Sequence, residues 1–287
     1  MIQILCKFYI QVASTALDIP PDWIHINEVS TETLANTSPT GGSCGTDLNG
    51  PAVLDACQTL LKRLEPYKKN NPKGPWSSWI TAALADRVSL NIIGYYDTNP
   101  TTYDMAKQTG DFYTYLTYGV GTVQAEVNCH TGQVTILSAD LVMDLGKSLN
   151  PAIDVGQIEG AFIMGLGTVT TEQLVRNVQT GELLTKGPGN YKVPTVADVP
   201  KEFNVTLIKN DTDGPTSAIY SSKGIGEPAI NFSAGIVIAI KDAIASYRQD
   251  NGNNDWFAME PPCTPTKIWQ AAHPWNKINE DLNLIEM

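Results

Sequence analysis

The sequence predicts an α+β fold in which mixed sheets are covered by packed helices, and three patterns carry that prediction. Residues 229–247 form an apolar run that places Ile236, Ile240, Ala243, Ile244 and Tyr247 on one helical stripe, the mark of a buried helix, with 248–252 reading as its end. Residues 112–128 and 133–144 are β-rich and joined by Cys129-His130-Thr131-Gly132, which reads as a long hairpin. Val155, Ile158, Phe162 and Leu166 share a second helical stripe. Residues 1–250 are expected to form one body, with two subdomains as the alternative. Residues 251–287, rich in Asn, Pro and Trp and without periodicity, are expected to be an irregular tail.

At 287 residues with 42% hydrophobic content, the chain is long enough to bury a core. Nineteen basic against thirty acidic residues give a net charge of -11, which argues against nucleic acid or an anionic membrane as partner. The five cysteines, Cys6, Cys44, Cys57, Cys129 and Cys263, are odd in number and lack C-x-x-C spacing. Neither a disulfide framework nor a thiolate cluster is therefore encoded, and a reducing compartment is expected, cytoplasmic or, alternatively, peroxisomal. Residues 1–12 are apolar but lack the charged region and cleavage site of a secretory signal, and no run approaches membrane-spanning length.

Taken in order, residues 9–18 read as the tail of a helix whose earlier turns are missing, which suggests a chain cut from something longer. Pro20-Pro21 ends it, and 23–29 alternates like a strand. A loop rich in glycine and hydroxyls, 36–47, opens a helix at about 49–64. Residues 62–74 form a polar crossing, 76–86 a helix, 88–96 a strand, and 97–110 has turn composition. After the hairpin and the second helical stripe, 181–200 is loop-like around Gly187-Pro188-Gly189, and 203–209 alternates as a strand.

Chemistry concentrates at three places. The loop holding Gly41, Gly42, Ser43, Cys44 and Gly45 lies at a helix N-terminus, where unpaired N–H groups and the dipole suit a phosphate or another electron-rich ligand; it lacks the G-K-[ST] of a nucleotide P-loop. Cys44 has no histidine nearby in sequence to activate it and reads as a space-filler. Gln157 stands beside Gly156 and Gly160, able to donate and accept hydrogen bonds to a flat heterocycle. The four glycines Gly156, Gly160, Gly165 and Gly167 weaken a helix unless a close neighbour, backbone or cofactor, requires them. Helix-against-sheet packing is the other reading of this stretch. Finally, Ser221-Ser222-Lys223-Gly224-Ile225-Gly226-Glu227-Pro228 holds Glu227 on a glycine turn before the buried helix, where burial and dipoles would suit a general base; a solvent-facing turn cap is the alternative. His25, His130 and His273 have no carboxylate or cysteine at ligand spacing, so no histidine metal site is expected.

Together these stretches resemble the C-terminal half of the molybdenum-binding portion of the xanthine dehydrogenase and aldehyde oxidase family. The resemblance rests on five motifs in the family's order: Asn36-Thr37-Ser38-Pro39-Thr40 with the Ser43 loop, Leu48-Asn49-Gly50 running to Leu64, Asp140-Leu141-Val142-Met143-Asp144, Ser148-Leu149-Asn150-Pro151-Ala152-Ile153-Asp154 with Gly156-Gln157, and Gly226-Glu227-Pro228. Pro262-Cys263-Thr264-Pro265 is similar to the family's carboxy-terminal S-P-A-T-P pattern, and Gln3 is in register with a cofactor-contacting glutamine. The resemblance implies the second molybdopterin-binding domain of a molybdenum hydroxylase, which oxidatively hydroxylates a heterocycle or an aldehyde. It implies Glu227 as general base, and Gly41, Gly42, Ser43, Cys44, Gly45, Gln157 and Gly226 as cofactor-binding residues. Family members usually carry alanine and serine where this chain has Gly41, Gly42, Cys44 and Gly45. A complete member would also carry FAD and two-iron iron-sulfur clusters, neither bound by this chain, would include the missing N-terminal domains, and would be a homodimer. The motifs lean toward xanthine dehydrogenase, with aldehyde oxidase as the alternative. A truncated piece that is inactive alone and binds at most a partner is a reading of a different class.

Overall fold

The computed structural model describes residues 2–27, 30, 32, 40–98, 102–209, 218–274 and 285–286. The described residues divide into two units that alternate along the chain. One comprises Met1–Leu116, Gly146–Ile153 and Asn210–Gly224, the other Thr117–Leu145, Asp154–Lys209 and Ile225–Met287.

The first unit is helical. Helix α1 (Ile2–Leu17) packs on α2 (Gly45–Asn70) through Phe8, Val12, Cys57 and Leu64, all buried, and α3 (Trp76–Ala85) adds Trp79 and Ala83. Helix α2 exceeds its expected bounds because it runs through Pro51 and Pro66, residues that ordinarily break a helix. The expected strand at 88–96 does not form. Its extended backbone lies against α2 instead, where Arg63 Nη1 donates to Ser89 O at 2.6 Å and Tyr95 N donates to Asp55 Oδ2 at 3.3 Å. Gly94 permits the approach, since a Cβ there would fall 1.9 Å from Ala52 O. The expected strand at 23–29 is likewise absent among the described residues, a 3₁₀ turn occupying Pro21–Trp23.

The second unit is a three-stranded sheet covered by helices. Strands β1 (Tyr118–Asn128) and β2 (Gln133–Asp144) pair antiparallel, as the hairpin reading expects, and α4 (Pro151–Thr170) follows. The short β3 (Val175–Arg176) and α5 (Pro188–Tyr191) lead to β4 (Glu202–Leu207), which pairs parallel with β2 and gives the order β1-β2-β4. A bulge skips Leu137, since Gln124 faces Ser138 while Ala125 faces Ile136. The skip turns Ile136 to the same buried set as Ala139, Leu141 and Met143. Helix α6 (Gly226–Ile230), a 3₁₀ turn at Asn231–Ser233 and α7 (Ala234–Asp250) follow, with α8 (Pro265–Ala272) and β5 (Ile285–Glu286), which pairs with β3.

Ile236, Ile240 and Ile244 of α7 and Ile158, Phe162 and Leu166 of α4 meet the sheet in one core, as their stripes predict. Contrary to the length expectation, the run Gly226–Asp250 spans 25 residues and contains an 18-residue window of mean hydropathy 1.4, within the length and composition that could cross a membrane. Its isoleucine stripe is fully buried inside the unit. The tail is also more ordered than expected, for Cys263, Ile268 and Ala272 join the core, and buried Arg248 ties it to α7 by donating to Ala271 O at 3.0 Å and Asn253 Oδ1 at 2.9 Å. Aperiodic composition hid this helix because only Ile268 and the small Ala272 need to face inward.

Candidate functional site

In the first unit the cofactor-loop residues sit together. Gly42 and Ser43 both adopt the left-handed region, with φ of +62° and +56°, a conformation free for glycine but strained for serine. Cys44 closes the turn: its amide donates to Gly41 O at 3.3 Å and its thiol to the same oxygen at 2.8 Å. The thiol is therefore engaged within the turn. Cys44 makes no side-chain cap for α2, and the positive end of the helix dipole lies at this turn. A Cβ placed on Gly41 or Gly42 would meet nothing within 4 Å. Asn49 Nδ2 and Tyr9 Oη both donate to Gly45 O, at 3.1 and 3.2 Å, holding the helix start. Residues 36–39 of the first motif lie outside the described residues, and Gln3 falls within α1.

A group that motif reading missed completes this arrangement. The hydroxyl of Tyr115 donates to Asp47, in the first turn of α2, and accepts from Gly224 N at 2.9 Å. Burial raises the affinity of both side chains for protons, Tyr115 and Asp47 alike; the hydrogen bond between them raises the tyrosine further and lowers the aspartate. The two side chains are separated by 68 residues, so no local spacing could have joined them.

In the second unit α4 carries Gln157 on a partly exposed surface. The four glycines of this helix divide into two kinds. A Cβ on Gly165 would fall 2.7 Å from Ser233 Cβ and 2.8 Å from Ile230 O, and one on Gly167 would strike Pro194 at 2.6 Å, so both glycines permit close packing. Gly156 and Gly160, one turn apart and flanking Gln157, would meet nothing within 4 Å. Gly165 thus seats α4 against the segment just after Glu227, about 12 Å along the helix from Gln157.

Glu227 is in the first turn of α6, where its charge complements the helix dipole, and Ala229 N donates to Ile225 O at 3.3 Å as the helix starts. The residue is exposed, as the solvent-facing alternative expects and the buried reading does not. Gly226 is half-buried beside it. The structure therefore groups Gly41, Gly42, Ser43, Cys44 and Gly45 in one unit and Gln157, Gly226 and Glu227 in the other.

The molybdopterin cofactor-binding domain family matches residues 7–200, which include the loop and Gln157 and stop short of Glu227. The chain is 48% identical over 267 residues to xanthine dehydrogenase/oxidase of Felis catus, covering 92% of this chain and 20% of that protein. It is 44% identical over 263 residues to aldehyde oxidase 4 of Rattus norvegicus, covering 92% of this chain and 19% of that protein. The aldehyde oxidoreductase of Desulfovibrio gigas has the same fold, with a TM-score of 0.69 at 24% identity over 92% of this chain and 27% of that one. The chain thus spans about a fifth of the length of the oxidoreductases it matches. With well over half of its residues matched, it belongs to the molybdopterin cofactor-binding domain family.

Proposed function

We propose that, within a complete molybdenum hydroxylase, this chain supplies one wall of the molybdopterin site and the general base for oxidative hydroxylation of a purine, xanthine or hypoxanthine. The observation that carries the reading is the contrast within α4: Gly156 and Gly160 leave open space around Gln157, whereas Gly165 and Gly167 are closed by protein neighbours. A glycine pair that no packing requires, beside a side chain suited to a heterocycle edge, fits a flat cofactor. The 41–45 loop fits as well, since it lies at the N-terminus of α2, where the helix dipole favours the group's anionic parts. When bound, molybdenum–molybdopterin supplies the two-electron oxidation of the substrate carbon. Gly41, Gly42, Ser43, Cys44, Gly45, Gln157 and Gly226 would hold it, and the carboxylate of Glu227 would take up a proton during the reaction.

In this reading FAD and the two-iron iron-sulfur clusters reside in the parts of the enzyme beyond this chain, and the complete protein is a cytoplasmic or peroxisomal homodimer. Oxidation of aldehydes is the second reading, favoured by the 44% identity to an aldehyde oxidase. The test is to express the complete enzyme carrying this sequence and to measure molybdenum, pterin and turnover of xanthine and of an aldehyde. Ser43→Ala and Gln157→Ala are expected to lower cofactor occupancy after dialysis, each removing a hydrogen bond worth about 1 kcal/mol. Unchanged retention in both variants refutes the cofactor wall, and turnover of aldehydes with none of xanthine moves the substrate to the second reading.

A further inference from the structure

The strongest feature left unused by this reading is the contact between Tyr115, Asp47 and Gly224. Gly224 N–H can only donate, so at 2.9 Å it fixes the Tyr115 oxygen as acceptor. The tyrosine proton is then directed to Asp47, which accepts it as a carboxylate. The direction of both bonds is thereby set. Around Gly224 the packing is tight: a Cβ would fall 3.2 Å from Ser43 O and 3.3 Å from Tyr115 Oη. The start of the same turn is pinned separately, by Lys147 N donating to Ser221 O at 3.0 Å and by the bridge between Gly146 and Ser222.

We propose that Tyr115 is a positioning residue whose hydroxyl, oriented by Asp47, locks the backbone at Gly224 to the 41–45 loop and so sets where the chain stands three residues before Glu227. One end of the lock is α2, the helix that the cofactor loop opens, and the other is the turn that leads to the base. Both side chains act in this proposal through the backbone at Gly224. The inference rests on the reading of Glu227 as the base, because the consequence of losing the lock is a misplaced carboxylate, and misplacement of about 1 Å can lower a rate on the order of 100-fold.

The test uses the holoenzyme carrying this sequence. Tyr115→Phe removes the hydroxyl while keeping the ring, and kcat is expected to fall about 10- to 100-fold with molybdenum content and KM nearly unchanged. Asp47→Ala should produce the same loss, Asp47→Asn, which keeps an acceptor, should recover most of it, and the Tyr115→Phe/Asp47→Ala pair should be no worse than either alone. A second readout is independent of activity: amide hydrogen exchange in the peptide covering 222–226 should speed up about 10-fold or more in Tyr115→Phe, since Gly224 N–H loses its acceptor. Wild-type kcat with unchanged exchange overturns the proposal, as does a rate that falls only in proportion to lost molybdenum. If Tyr115→Phe fails to accumulate, the Asp47→Ala and Asp47→Asn comparison decides the matter alone. Failure of the underlying reading is distinguishable, because an active Glu227→Ala enzyme removes the base assignment, whereas an inactive one beside a fully active Tyr115→Phe removes only the lock.

Discussion

Replacing the glycines of α4 by alanine one at a time separates packing from function on a single helix. Alanine in a helix interior is favoured over glycine by about 1 kcal/mol, so where nothing opposes it the substitution stabilises by that amount. Gly156 and Gly160 have nothing within 4 Å of the added methyl, and each change should raise the unfolding free energy of the chain by about 1 kcal/mol, the pair by about 2. At Gly165 the methyl meets Ser233 Cβ at 2.7 Å and Ile230 O at 2.8 Å. Overpacking of that kind costs about 1–3 kcal/mol, so after the propensity gain the net effect should lie between neutral and about 2 kcal/mol destabilising. Urea denaturation of the purified chain, followed by circular dichroism, gives the three values. In the complete enzyme the same Gly156→Ala and Gly160→Ala changes should lower molybdenum retention while raising stability, because the methyls enter the space assigned to the cofactor. If all three variants shift stability in the same direction by the same amount, the division of the glycines into open and closed is wrong.

Other parts of the structure give further expectations. Arg248→Met should destabilise the chain by about 3 kcal/mol, since it removes charge-assisted bonds to Ala271 O and Asn253 Oδ1 and the guanidinium stacked 4.6 Å from the Phe257 ring; a loss under about 1 kcal/mol in urea titration contradicts the role given to it. Ile240→Ala, at a fully buried position of α7, should lower stability by about 2–5 kcal/mol by the same measurement, and a loss within the range of surface substitutions would place the core elsewhere. Tyr115 keeps its proton more tightly when folded than the ordinary value of 10.0, so the unfolded chain loses that proton first as pH rises. Stability should therefore fall with increasing pH from about pH 10 upward, and Tyr115→Phe should flatten that slope; an unchanged slope in the variant contradicts it.

The sequence made the strongly periodic elements legible and hid those that depend on distant partners. The isoleucine stripe of α7, the hairpin and the Ile158 stripe of α4 were readable because burial on one face imposes its period on the residues themselves. The 88–96 segment has the composition of a strand, but its backbone partners are Arg63 and Asp55 on α2, which no local pattern reveals. Likewise 62–74 has the composition of a polar crossing, yet α2 continues through Pro66 to Asn70. At the candidate site, motif order was enough to name the loop, Gln157 and Glu227. It could not separate open from closed glycines on α4, nor find Tyr115, because both depend on which distant atoms lie within a few ångströms. Exposure of Glu227 was one of the two readings its glycine turn left open, and local sequence could not decide between them.

The account stands most directly on Glu227. In the complete enzyme, with saturating xanthine and with molybdenum quantified in the same preparation, Glu227→Ala should lower turnover by about two to four decades, the contribution of a positioned base, while molybdenum content stays near that of the wild type. Turnover of Glu227→Ala close to the wild-type rate would contradict the account, whatever the cofactor content.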